Sequence, residues 1–247
     1  MQVSRHYSKA PITEALIDLK VTLPEEFSTD DLVNIYARIS DRFPIQETVQ
    51  MGSFLLQAGP TIRIDTNQQD SGFLFKSKDG TKIFQATLNG FTFNRLAPYN
   101  SWEEMRSDAQ HLWEIYKEIC KPTSVTRAAI RFINQINIPA KEAVDLQDYI
   151  HILPQVPPDL PQGGLNAFFT QLQIPQFDLN CVLIINEALV PRIDPDFVSV
   201  ILDFDLFRQQ IWQADDEDIW SFLEKLRRRK NAVFEASITD KARRLFN

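Results

Sequence analysis

Two stretches of strict alternation constrain this chain more than any other feature in it. In Ile12–Leu23, the residues Ala15, Ile17, Leu19, Val21 and Leu23 fall on one face, and Glu14, Asp18 and Lys20 fall on the other. A period of two with one apolar side is the signature of a half-buried strand. Val125–Ile138 repeats the pattern and closes at Pro139. The segment TEALIDL at 13–19 aligns with TRAAIRF at 126–132, with threonine, alanine and isoleucine at the same spacing and the apolar face in phase. The same offset carries Trp102, at the head of one helical pattern, onto Asp215, at the head of another. The reading is a duplicated β-α-β-β-β-α unit, residues 1–122 and 123–247, in one compact α+β body. Its antiparallel sheet is expected to pack on long helices, in a TBP-like or helix-grip-like arrangement. Coincidence between two amphipathic strands is the other reading of so short a similarity.

Between these strands the punctuation is clear. Pro24 ends the first strand, and Ser28-Thr29-Asp30-Asp31 caps a helix with the stripe Leu32, Ile35, Tyr36, Ile39 and Phe43, which Pro44 stops. Short strands are expected at Ser53–Gln57, Ile62–Thr66, Phe73–Ser77, Lys82–Leu88 and Phe91–Leu96, with Asp79-Gly80 and Asn89-Gly90 as turns. Ser101 caps a helix whose buried side is Trp102, Met105, Leu112, Trp113, Tyr116 and Ile119. In the second half, Val144–Leu153 reads as a helix and residues 154–164 as a Pro- and Gly-rich loop. Strands follow at Phe168–Gln173, Cys181–Ile185 and Val198–Phe207. A last helix starts at Ile219 and runs to about Val233, before a short terminal helix capped by Ser237 or Thr239.

Composition excludes several function classes. The net charge of −7, spread evenly, counts against generic binding to duplex DNA. Only seven glycines are present, and neither GxGxxG nor GxxxxGK[ST] occurs. His6, His111 and His151 have no metal-ligand spacing, and no GxSxG nucleophile motif occurs. No cofactor is expected. Cys120 and Cys181 lie in apolar stretches without CxxC spacing, as buried free thiols would. The first residues lack the apolar region of a signal peptide, and no apolar run approaches the ~18 residues that cross a bilayer. A cytoplasmic location with no membrane partner is therefore expected. The 18 phenylalanines suit strands packed under helices.

Four groups of residues are candidates for a site. Glu14 aligns with Arg127 and Asp18 with Arg131, so adjacent first strands would set an acidic pair beside a basic pair. That is an ordinary cross-strand charge ladder or a polar groove for a ligand or partner. Asn134 lies on the apolar side of its strand, between Phe132 and Ile136, where an amide needs partners. The run Lys225-Leu226-Arg227-Arg228-Arg229-Lys230 ends a helix begun by Asp215–Asp218, which matches the helix macrodipole. Within it Arg227, Arg228 and Lys230 are also the candidates for contact with an acidic protein or an RNA backbone. Asp203 and Asp205 share one face of a strand, as a weak Mg²⁺ site or a solvent-facing strand would have them.

The segments YSKAPITEALIDL, FTFNRLAPYNSWEEM, IRFINQINIP, ILDFD and KNAVFEASITDKARRLF, in that order, give the chain a family resemblance. It resembles a sporadically distributed bacterial family of proteins of about this length with no established function. Where that family's pattern favours a second arginine, this chain has Gln135. The resemblance implies no catalytic residues; its patchy distribution looks like that of defence or toxin–antitoxin genes, an association without a mechanism. Three functions are consistent with these residues. The first is a non-catalytic binding or regulatory module, a subunit of a bacterial defence or antitoxin-like system, acting through another protein, an RNA or a second copy of itself. The second is a small-molecule or nucleotide-binding domain with a pocket between the sheet and the long helices. The third is a metal-dependent nuclease or hydrolase using Asp203 and Asp205.

Overall fold

The computed structural model describes residues 5, 7–54, 66–140, 144–157, 159, 165–190, 194 and 196–247. Among the described residues, nine strands form one antiparallel sheet: β1 (Ile12–Thr22), β2 (Ile45–Phe54), β3 (Thr66–Lys76), β4 (Lys82–Thr87), β5 (Gly90–Leu96), β6 (Ser124–Pro139), β7 (Phe169–Gln176), β8 (Cys181–Val190) and β9 (Phe197–Trp212). Their spatial order is β2-β3-β4-β5-β1-β6-β9-β8-β7, so β1 and β6 are neighbours at its centre. The helices are α1 (Val33–Ile39), α2 (Trp102–Cys120), α3 (Asp218–Ser237) and α4 (Asp240–Arg243). All lie in the connections that follow β1, β5 and β9.

This corrects the expected architecture. The α+β character is present, but not as two matching β-α-β-β-β-α halves of the TBP-like or helix-grip-like kind packed on long helices. The sheet dominates. Its nine strands span about 38 Å at ordinary spacing, while a 20-residue helix reaches only about 30 Å. The other helices have 7, 19 and 4 residues. The first half gains β2, whose polar residues Gln46, Glu47 and Thr48 hide a strand from a hydrophobic pattern. The second half has no counterpart of α1 among the described residues. The helix expected over Val144–Leu153 is only a 3₁₀ turn at Leu146–Asp148, after which the chain is held extended. Ile150 bridges Ile238, and the His151 N–H donates to the Ser237 carbonyl at 2.9 Å. The strands expected at Ser53–Gln57 and Ile62–Thr66 and the loop expected at 154–164 fall partly outside the described residues.

The alternation of β1 and β6 has the expected consequence. Ala15, Ile17 and Leu19 of β1, with Ala128, Ile130 and Phe132 of β6, are fully buried on the helix-covered face. Phenylalanines line that face in a ladder across β3, β4 and β5. Phe75 lies 5.6 Å from Phe84, and Phe84 lies 5.2 Å from Phe91, which packs edge-on against Trp113 of α2. Aromatic contacts of this kind contribute about 0.5–1.5 kcal/mol each beyond area burial. Ser101 caps α2 by accepting from the Glu104 N–H at 3.1 Å, and Thr239 caps α4 through the Lys241 and Ala242 N–H groups. Among the described residues, no helix is long and apolar enough to cross a membrane.

Candidate functional site

The open face of the sheet carries the charged residues of β1, β6 and β9, and they satisfy one another. Arg127 donates to Asp18 at 2.7 Å and to Asp205 at 3.2 Å, and lies over the Phe207 ring. Asp18 also accepts from Thr92 at 2.8 Å. Arg131 forks onto Asp203 with contacts of 2.8 and 2.6 Å, and Asn186 donates to the same carboxylate at 2.9 Å. Glu14 accepts from the Asn94 amide. So of the acidic and basic pairs expected side by side on β1 and β6, Asp18 meets Arg127, while Arg131 pairs with Asp203 of β9 and Glu14 with Asn94 of β5.

This arrangement leaves little for a metal. Burial raises the Asp205 carboxyl above its ordinary range, even though Arg127 and Arg131 oppose the shift. Asp203 already holds three donor contacts. Among the described residues, no group of three or more His, Cys, Asp or Glu side chains converges. The Cys120 thiol is pushed up to about 12, chiefly by burial, and both cysteines are free and buried. Neither is poised as a nucleophile.

The other candidates gather elsewhere. Asn134, Arg227, Arg228 and Lys230 line one cavity of about 720 Å³ on the helix side of the sheet. β6 contributes Asn134 to it, α3 forms one wall, and the chain running into β1 and the start of α2 complete it. Tyr7, Tyr99, Trp102 and Phe234 supply aromatic surface, and Glu103 and Glu235 the carboxylates. Pockets of a few hundred cubic ångströms with apolar walls and few polar groups are where small ligands bind.

Lys230 sets the chemistry of this cavity. Its apolar neighbours on α3 are Ile219, Leu223, Leu226 and Phe234, at helical spacing, so the helix points Lys230 inward with them. The side chain is only 7% exposed. The ammonium stands 4.0 Å from the centre of the Phe132 ring, and among the described residues no carboxylate pairs with it. Burial, and secondarily the Arg227 guanidinium, push it down to about 7. Of the cavity's other charges, Arg5 is exposed and the rest are engaged. Arg227 contacts Glu103 and Glu224, both at 3.5 Å, and Arg228 contacts Glu224 at 3.1 Å. Glu235 accepts from Tyr7 at 2.7 Å and from Arg243 at 2.8 Å. Asn134 donates to the Leu202 carbonyl at 3.0 Å, as a buried amide must. At the wall, the buried Trp102 indole N–H has no acceptor among the described residues.

Of the residues singled out in the sequence, the structure thus divides Glu14, Asp18, Arg127 and Arg131 from Asn134, Arg227, Arg228 and Lys230. The basic run does not form one patch. Arg229 points to Gln176 and Asp178 beside β7, Arg228 is largely exposed, and Lys230 is buried. Tyr7, Tyr99 and Trp102 were not legible as site residues, although Tyr99 follows a proline in the turn before the Ser101 cap, where an aromatic is a signal. No protein-family model matches the chain, and comparison with curated proteins finds no match.

Proposed function

We propose that this chain is a non-catalytic binding module that takes a small anionic ligand in the cavity between β6, α3 and the start of α2. The observation that carries the reading is Lys230, a buried cation with no carboxylate partner among the described residues, facing a cavity large enough for a ligand. Taking an ammonium out of water without a counter-ion is costly, and a bound anion removes that cost. The donor-rich surroundings, with the N-terminal end of α2 at the rim, favour negative charge as well. The Asp203–Asp205 hydrolase gains no support, because both carboxylates are occupied by arginines. The contact surface built on Glu14, Asp18, Arg127 and Arg131 is disfavoured for the same reason: each charge already has a partner across the strands.

A thermal-shift screen over small carboxylates, phosphates and nucleotides tests the proposal. Wild type is expected to be stabilised by at least one class of anion, and a Lys230→Met variant to lose that shift. No shift with any anion, or an equal shift in the variant, would overturn it.

A further inference from the structure

The same cavity restricts the ligand further, a restriction that rests on the anion-binding proposal. Once partners are assigned among the described residues that line it, Lys230 is the one buried cation left, and Arg5, which also lines it, is exposed to solvent. Arg227 and Arg228 are held by Glu103 and Glu224, and Glu235 is held by Arg243 and Tyr7. A single ammonium is balanced by a single negative charge. A dianion would bring an excess charge into a space that also presents Glu103 and Glu235. The remaining wall is aromatic: Tyr7 meets Phe234 edge-on at 6.3 Å, and Tyr99 meets Phe132 edge-on at 5.7 Å. Such a wall suits a flat or branched apolar body better than a polar sugar. Lys230 stands on the same Phe132 ring, so the charge site and the aromatic wall are contiguous.

We propose that the pocket's ligand is an organic monocarboxylate with an aromatic or apolar body, its carboxylate on Lys230 and its body against Tyr7, Tyr99 and Phe234. Removing one partner from a buried charge pair typically weakens binding by about thirtyfold or more. Phosphate monoesters carry nearly two charges at neutral pH and are disfavoured here.

Titration calorimetry on the full chain decides this with benzoate, phenylacetate and indole-3-acetate as probes, against phenyl phosphate, a nucleoside monophosphate and benzamide. At least one carboxylate is expected to bind about tenfold or more tightly than phenyl phosphate or benzamide. Lys230→Met is expected to lose that preference, and Tyr99→Ala to weaken carboxylates while the variant stays folded by circular dichroism. Benzamide uses the wild-type protein, so it removes the charge even where a variant fails to fold. If phosphates or nucleotides bind and carboxylates do not, the monocarboxylate assignment fails while the anion-binding reading stands. If benzamide binds as well as benzoate, the assignment fails; if no anion binds, both fail.

Discussion

Lys230 and Glu187 are the two residues whose burial is least compensated, and they make opposite predictions. Lys230 titrates at about 7 in the folded chain against 10.5 in the unfolded one, so the folded state holds fewer protons between those values. Stability therefore rises with pH across that window. Replacing Lys230 by Met removes a buried charge, and urea denaturation at about pH 6 should show a gain on the order of 1–3 kcal/mol. A bound anion favours the ammonium, so affinity should fall as pH rises above about 7. The charged and titratable groups facing the cavity with Lys230 are Arg227, Arg228 and Glu235 on α3, Tyr99 and Glu103 at the start of α2, and Arg5 and Tyr7 before β1. Burial and the Glu235 hydrogen bond raise Tyr7 to about 12, and burial raises Tyr99 too, so neither phenol titrates near neutrality. Glu187 on β8 is 1% exposed with neither carboxylate oxygen hydrogen-bonded, and burial pushes it up to about 8. Here the folded state holds more protons than the unfolded state between 4.5 and about 8. Its contribution is present below 4.5 and is lost as pH rises through the window. Glu187→Gln should flatten that loss, and the difference from wild type between about pH 5 and about pH 9 should amount to a few kcal/mol.

The elements show which parts of the fold could be read from the chain. β1, β6 and α2 were legible because each carries one long uninterrupted period and a clear cap or stop. β2 was not, because a strand flanking only one neighbour at the sheet edge needs little apolar alternation, and Gln46-Glu47-Thr48 has almost none. The 144–153 segment carried a helical pattern that tertiary contacts with the end of α3 override. Lys230 was legible in principle, since it sits in the Leu223–Leu226–Phe234 stripe, but its place in a basic run masks its direction. The β4–β5 turn shows the opposite case, where one residue decides an element. Gly90 has φ +152°, and a Cβ there would lie 2.2 Å from the Leu19 carbonyl oxygen of β1. Gly90→Ala should therefore disturb the β1–β5 pairing and cost about 2 kcal/mol or more in chemical denaturation. The charge ladder across β1, β6 and β9 is tested in the same assay. Asp203→Ala strands Arg131 at its fork, so about 1–3 kcal/mol of stability should go while carboxylate binding in the cavity on the other face of the sheet is unchanged.

At the scale of the whole molecule, the cavity is where distant parts of the chain close on one another. Its walls come from the residues before β1, from the turn into α2, from β6 at the centre of the sheet, and from α3. Hydrogen bonds already tie these parts together: Tyr7 to Glu235 at 2.7 Å, Lys9 N–H to the Phe246 carbonyl at 2.9 Å, and Gln135 N–H to the Pro11 carbonyl at 2.8 Å. A ligand touching all four walls would add contacts that exist only when every wall is in place. It binds the folded state alone, so at a hundredfold excess over its Kd the whole chain should gain about 2.7 kcal/mol. Amide exchange would distinguish that from a local effect. Protection is expected to rise together at residues 7–12, 99–103 and 227–235, segments joined by no single element. It should stay level at β3 and β4, which contribute no residue to the cavity. A rise confined to α3 would mean that the ligand sits on the helix surface instead of within the cavity. The reason to expect the joint response is Lys230 itself: it is carried by α3 but rests on Phe132 of β6, so its counter-ion must lie where the helix and the sheet meet.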